Sequence, residues 1–381
     1  MTTIRRVWAF ALDNSLLLLL GAVAGLAWAN TDLGSYERFV HKIHFAVNDV
    51  GMAFFFALAA KEVVEATAPG GALHSPRRAA MPLLAAVGGM AGPALIFVGF
   101  AMASAQRELL PGWAIPCATD IAFSYLVARL IFGAKHPAIP FLLLLAIADD
   151  ALGLAILAVF YPTGALRLLE FTVLLGIAIG IASVLRRRAH RSFWPYIFGA
   201  GVVSWFAFFR GGLHPALALV PIVPFMPHGQ RDLGLFVDAH GHDPLSHFEH
   251  WWKTPVQIIL FLFGLVNAGV PVSHTGPGTW IVLASILVGK PVRIVSFTAL
   301  GVAVGLHRPA GVSRRDVFVV GMAAAIGFTV ALFFATAAFP AGQLLDEAKM
   351  GALLSFLAAP LAGVAAFALK VGTRVARQTS T

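Results

Sequence analysis

The chain has 381 residues, of which 59% are hydrophobic and only 12% charged, and its mean hydropathy is +0.83. A soluble globular protein needs a charged surface over its apolar interior, and this composition cannot supply one, so the chain reads as a polytopic membrane protein. The net charge of +9 then reflects loop orientation rather than a nucleic-acid partner, and the single cysteine, Cys117, excludes an intramolecular disulfide framework.

Apolar segments bounded by charge and Gly/Pro clusters fall at about residues 12–29, 44–66, 79–103, 113–133, 139–161, 168–185, 193–209, 212–226, 255–272, 279–304, 317–339 and 350–372. The first carries no small-residue cleavage site leading into a soluble domain, so no removable signal peptide is expected. The pattern predicts an all-α membrane protein with about twelve transmembrane helices, forming one transporter domain over 1–381. Sorting the loops by side places seventeen Lys and Arg residues on one face, among them Arg77, Arg186, Arg308 and Arg374, and six on the other, such as Arg38 and Arg107. Positive charge stays inside, so both termini are expected to be cytoplasmic.

Four basic residues fall within the predicted spans: Lys61, Arg129, Lys290 and Arg293. Lys61 lies with Glu62 and Glu65 near the end of the second helix, where a long side chain can snorkel to the interface. The fourth segment, Trp113 to Ser124, contains Pro116, which removes a backbone donor, and then Thr119 and Asp120; this predicts a helix broken at the midplane. Cys117 beside it reads as a small buried hydrophobe.

The fifth segment carries two adjacent acids, Asp149 and Asp150, inside the apolar run Leu142–Phe160. A central Asp costs about 2.5–3.5 kcal/mol on insertion scales, so the pair costs roughly 5–7 and must be protonated, paired or facing water. Neighbouring residues on a helix point about 100° apart, so the two cannot share one proton as a facing dyad would. One can bind a cation with Asp120 while the other turns to a lysine.

The long polar connection, about 227–253, is rich in histidine, with His228, His240, His242, His247 and His250 beside Asp238, Asp243 and Glu249. It is expected to be a cytoplasmic loop that either senses pH or is merely solvated; transition-metal binding by His240 and His242 is a further alternative. Farther on, Lys290 is flanked by apolar residues on both sides and needs a buried carboxylate partner. The eleventh segment reads Gly321 to Val330, with Gly327 and Thr329 at a depth similar to the first break. Two interrupted segments, each second in a group of three helices, point to repeats at about 79–161 and 279–372 related by inverted topology.

Carboxylate oxygens are hard ligands suited to small hard cations, and burial penalises charge on acid and lysine alike. The same groups can therefore take protons at one face and yield them to a competing cation at the other. A sodium-coupled solute symporter of similar fold is the rival reading. An intramembrane aspartyl protease would need a facing acid pair and a Gly-x-Gly-Asp signature, and the chain has neither.

Five motifs carry a resemblance: Gly112–Phe123, Leu145–Asp150, Val266–Val270, Val288–Val292 and Ile326–Thr329; the stretches beginning at Asn48 and Ala85 match too. The chain resembles the NhaA family of sodium/proton antiporters, secondary transporters of the bacterial inner membrane, and the similarity runs in order over nearly its whole length. The resemblance implies exchange of Na+ or Li+ for H+ with two protons per cation, no cofactor and no enzymatic activity. It implies that Asp150 and Asp120 bind the cation, that Thr119 lies at the break, and that Asp149 pairs with Lys290. It also implies a funnel lined by Asp49 and Glu62, with His214, Glu249 and His250 linked to pH response. Membrane lipid is an expected partner; homodimerisation stays open. The chain departs from the family in Ala60–Ala66, where usual basic residues are missing around Glu62, in Ala151–Gly153 after the Asp pair, and at Cys117, where alanine is usual.

Overall fold

A computed structural model describes residues 15–227 and 243–371. Every regular element among them is helical, and six helices are long and apolar enough to cross a membrane: Leu33–Thr67, Ala79–Ala103, Ala138–Phe160, Leu168–Arg187, Pro277–Ala303 and Gln343–Ala368. Two bent pairs bring the number to eight, Arg107–Cys117 with Ile121–Phe132 at 54° and Arg314–Ala324 with Phe328–Ala338 at 51°. The chain is a multi-span all-helical membrane protein, and both expected interruptions are present.

Among the described residues, other expected segments take further helical forms, the ninth lying in the 24-residue helix Pro244–Asn267. The first, within the described residues, is the helix Leu16–Thr31. The segment at 193–209 becomes a wider turn, Tyr196–Gly201, running into Val202–Gly211. Over 212–226 there is no continuous helix, only short turns at Pro215–Leu217 and Val223–Phe225. Pro215, Pro221 and Pro224 each lack an amide donor, and Gly212 takes a left-handed conformation (φ 77°) that stops the preceding helix. The connection expected over 227–253 is also shorter, because a helix, Pro244–Asn267, starts there. Asp243 caps it by accepting from Ser246 N–H at 2.9 Å, and Pro244 occupies the first helical position. His247, Glu249 and His250 are therefore helical, whereas His228, Asp238, His240 and His242 lie outside the described residues.

The chain divides into two compact units, residues up to His74 with Ala151–Gly269, and Ser75–Asp150 with Val270 onward. In the first unit, Leu16–Thr31 packs against Pro244–Asn267 through small residues. A Cβ on Gly21 would stand 2.0 Å from the Phe261 carbonyl oxygen, and one on Gly264 2.5 Å from that of Leu18. With no hydrophobic force between helices in lipid, such close backbone approach supplies the packing energy. The next helix, Leu33–Phe45, begins at Asp32, whose carboxylate accepts Ser35 N–H at 3.0 Å, a bond that holds this carboxyl below its usual range. That helix carries Tyr36, whose hydroxyl is shared between Leu265 O (3.0 Å) and Val266 O (2.7 Å) and accepts from Gly269 N–H, satisfying the end of Pro244–Asn267.

In the second unit the order long helix, bent pair, long helix occurs twice: Pro76–Ala103, the first bent pair and Ala138–Phe160, then Pro277–Ala303, the second bent pair and Gln343–Ala368.

Gly21→Val should force the first helix away from its partner. Cores that cannot accommodate added methylenes typically lose about 1–3 kcal/mol, so a lowered melting temperature of the purified protein is expected, and an unchanged one would show that this interface does not limit stability.

Candidate functional site

The first break starts from proline chemistry. Pro111 and Pro116 lie in a tight helical segment, Arg107–Cys117; Ala118 is extended, and Asp120 caps the helix that starts at Ile121. The second break falls between Ala324 and Phe328, with Gly327 at the cap position. The two breaks touch. Asp120 N–H donates to Ile326 O at 2.7 Å, and a Cβ on Gly327 would stand 2.8 Å from Ala118 O, so the contact requires glycine there. Ser124 hydroxyl donates to Ala323 O at 2.8 Å, and Ser355 hydroxyl accepts Gly327 N–H at 3.3 Å. Backbone groups freed by each interruption are thus taken up by the other or by a neighbouring hydroxyl, as an apolar surrounding demands.

The Asp120 carboxylate serves both new helix starts. Its Oδ1 accepts Phe123 N–H at 3.3 Å, and its Oδ2 accepts Thr329 N–H at 3.3 Å together with the Thr329 hydroxyl. Two helix N-termini each present about half a positive charge, so one carboxylate offsets both. Asp120 is buried at 6% exposure and Thr329 at 3%.

Asp149 projects from Ala138–Phe160, and its Oδ2 accepts from Thr119 hydroxyl at 2.7 Å and from Lys290 Nζ at 3.3 Å. Lys290 Nζ also donates to Thr119 Oγ1, and Thr119 lies 3.1 Å from Ala324 O at the second break. Lys290, Thr119 and Asp149 are almost wholly buried. The other carboxylate oxygen, Asp149 Oδ1, is buried with no hydrogen-bond partner among the described residues. Leaving a buried acceptor unmet costs about 1–3 kcal/mol, more for a charged group; a proton or a hard cation would remove that cost. Asp150, the next residue, is half-buried, and its charge acts on Lys290.

The structure thus joins Thr119, Asp149 and Lys290 into one cluster and ties it to Asp120 through the two breaks. Thr329 and Ser124 belong to the same network. Thr329 stood in the sequence as part of the second interruption, while Ser124 gave no signal beyond its place after the first.

The five funnel and pH-response residues all fall in the first unit, in two groups. Lys61 is not snorkelled to an interface: its side chain is 5% exposed, and its Nζ lies 2.7 Å from Glu65, 2.7 Å from Glu249 and 3.3 Å from Glu62. Three carboxylates on two helices hold the ammonium inside, which outweighs the gain from reaching water. Lys61 thus supplies positive charge beside Glu62. His250, on the same helix as Glu249, is exposed. His214 Nδ1 lies 4.0 Å from Asp49 Oδ1 and accepts Ala216 N–H at 3.4 Å. Beside Asp49, Asn48 and Asn267 exchange amide hydrogen bonds of 2.9 and 3.0 Å, and Asn48 also meets His44 at 2.9 Å. Trp205 Nε1 donates to Asp49 O at 3.0 Å, a carbonyl in the widened turn Ala46–Gly51.

Comparison with known proteins agrees with this architecture. Residues 6–367 match the family model described as Na+/H+ antiporter 1. The chain is 47% identical over 425 residues to a Na(+)/H(+) antiporter NhaA from Jannaschia sp. (strain CCS1), covering 98% of this chain and 99% of the relative. It is 45% identical over 369 residues to one from Geobacter metallireducens, covering 94% and 97%. Among solved structures, the sodium proton antiporter MjNhaP1 from Methanocaldococcus jannaschii is similar in fold, with a TM-score of 0.55 at 15% identity over 94% of this chain and 91% of that one. The family match over nearly the whole length, to which the two touching breaks and the acids packed on them conform, places the chain in the Na+/H+ antiporter 1 family.

Proposed function

We propose that the protein is a secondary Na+(Li+)/H+ antiporter of the bacterial inner membrane, with both termini cytoplasmic, in which cation and protons compete for Asp150, Asp120 and Asp149. The observation that carries this reading is the uneven use of the Asp149 carboxylate, one oxygen held by Thr119 and Lys290 and the other buried without a partner. Such a group needs compensating positive charge. When a cation is bound nearby, Lys290 becomes redundant and can release a proton; when the cation leaves, protons return. Burial makes uncompensated charge costly throughout, so one charge state exchanges for another instead of accumulating.

Alternating access then follows from two inverted repeats, about 79–161 and 279–372, rocking around the touching breaks. The repeated order of helix, bent pair and helix supports this reading. Asp49, Glu62, His214, Glu249 and His250 act on the approach and on pH response. With two protons per cation, one net charge crosses per cycle, worth about 2.3 kcal/mol per 100 mV, and a potential negative inside drives protons in and sodium out.

Purified protein in potassium-loaded liposomes should dequench a pH dye on addition of Na+ or Li+ without organic solute, and clamping the potential with valinomycin should change the rate. Asp150→Asn and Asp120→Asn should each abolish exchange. Dequenching that requires an organic solute would support the symporter instead, and wild-type exchange in either variant would sink the site assignment.

Lys290→Ala leaves Asp149 buried without its partner, a change that typically costs about 3–5 kcal/mol. The melting temperature should fall, and adding Asp149→Asn should recover part of the loss. Purely additive effects in that double-mutant cycle would mean that the two are not coupled.

Exchange should rise from mildly acidic to alkaline pH, because protons hold the acids below that range. Raising sodium should move the acidic limb to lower pH. A limb that stays fixed would shift the explanation from competition to a separate sensor among His214, Glu249 and His250.

A further inference from the structure

Hydroxyls within the long helices of this chain turn back on their own backbone: Thr67 donates to Val63 O at 2.7 Å, Thr172 to Leu168 O at 2.8 Å and Ser285 to Ile281 O at 2.6 Å. Two threonines at the breaks meet acids instead. Thr119 hydroxyl reaches Asp149 Oδ2 at 2.7 Å, and Thr329 hydroxyl donates to Asp120 Oδ2. Thr329 is the second residue of the helix Phe328–Ala338, so the break stands where a preceding helical turn would have offered it a carbonyl. The parallel extends to the carboxylates. Asp149 has its Oδ2 held by Thr119 and Lys290, and its Oδ1 has no partner among the described residues. Asp120 has its Oδ2 held twice by Thr329, through the N–H at 3.3 Å and the hydroxyl, and its Oδ1 receives Phe123 N–H at 3.3 Å. A carboxylate oxygen accepts about two hydrogen bonds, so Thr329 alone fills Oδ2, and Oδ1 keeps capacity for a hard cation. Among the described residues, Thr329 is the one side chain that donates to Asp120.

We propose that Thr329 is a positioning residue for cation binding: its hydroxyl pins Oδ2 of Asp120 to the second broken helix, so that the carboxylate cannot swing and Oδ1 is the oxygen presented to the cation. The proposal rests on the antiport reading, with Asp120 among the cation-binding acids. Groups that hold a ligating carboxylate in one orientation act on affinity without touching the metal, because the ligand is ordered before the ion arrives. Thr329 starts the helix after the second break, whereas Asp120 caps the helix after the first. The tie therefore exists only while the two breaks touch, and cation affinity at Asp120 is linked to the arrangement of the two half-helices.

The test is a sodium titration of exchange in liposomes at alkaline pH, where proton competition is least, for the wild-type chain and for Thr329→Val, Thr329→Ser and Thr329→Cys. It is paired with the sodium-dependent rise in melting temperature of each purified protein, which reads binding without transport. Thr329→Val keeps the shape and loses the hydroxyl; removing such an outer partner typically costs about 10–100-fold in metal affinity. Half-saturating sodium should rise by that factor in both measurements, with the maximal rate changed far less. Thr329→Ser should stay near wild type, and Thr329→Cys, a weak donor, should fall between. An unchanged half-saturation in Thr329→Val, even with a lower maximal rate and melting temperature, would make the residue structural only and overturn the proposal. A loss that Thr329→Ser does not rescue would overturn it too. If Thr329→Val does not fold, Thr329→Cys decides by the same criterion. A wild-type chain without sodium response in exchange or melting would sink the antiport reading and this proposal with it, whereas a normal wild-type response beside an unmoved Thr329→Val curve sinks the proposal alone.

Discussion

A helix that stops inside a membrane leaves donors and acceptors that lipid cannot satisfy, at several kcal/mol each. This constraint governs the second unit. A single interruption would be prohibitive, but two that meet can satisfy one another: Asp120 N–H goes to Ile326 O, Ser124 hydroxyl to Ala323 O, and Thr329 N–H to the Asp120 carboxylate. Once they meet, two helix N-termini converge and attract an anion. Asp120 is that anion. Its burial, costly in isolation, becomes what allows both half-helices to start.

Thr119 carries the constraint from backbone to chemistry. Its hydroxyl has one proton and two acceptors within reach, Asp149 Oδ2 at 2.7 Å and Ala324 O at 3.1 Å, and it accepts from Lys290. A donation to Ala324 O closes the second break and leaves Asp149 more dependent on Lys290; a donation to Asp149 does the reverse. Any change in the charge on Asp149 is therefore felt where the two breaks meet. In an antiporter that link is useful, since binding must alter the backbone that opens to either side.

The breaks were unequally legible in the sequence. Pro116 removes a donor and is followed by Thr119 and Asp120, so the first could be placed to within a few residues. The second has no proline, and only Gly327 and Thr329 hinted at it; the reason for glycine, close approach to Ala118 O, is a tertiary fact that no local pattern contains. The acids and Lys290 were legible because charge in an apolar run has so few physical solutions. The segment over 212–226 misled for the opposite reason: its hydropathy suits a span, but Pro215, Pro221 and Pro224 limit it to short turns. Lys61 misled as well, because snorkelling is an argument about one helix, whereas Glu249 comes from another nearly two hundred positions along the chain.

Lys61 and Lys290 show how surroundings assign different tasks to one side chain. Lys61 has three carboxylates within 3.3 Å, so its charge is amply compensated and it binds two helices together. Losing one acid would leave two. Lys290 has a single carboxylate oxygen at 3.3 Å, a hydroxyl and the nearby charge of Asp150, all in a place with no access to water. Its charge is barely compensated, so a sodium ion arriving at the acids removes most of the reason to keep it. An over-compensated lysine can serve as a fixed tie, and a barely compensated one can respond to a bound ion. That difference in compensation is what supports the proposal of proton release from Lys290, and why Lys61 is read as architecture.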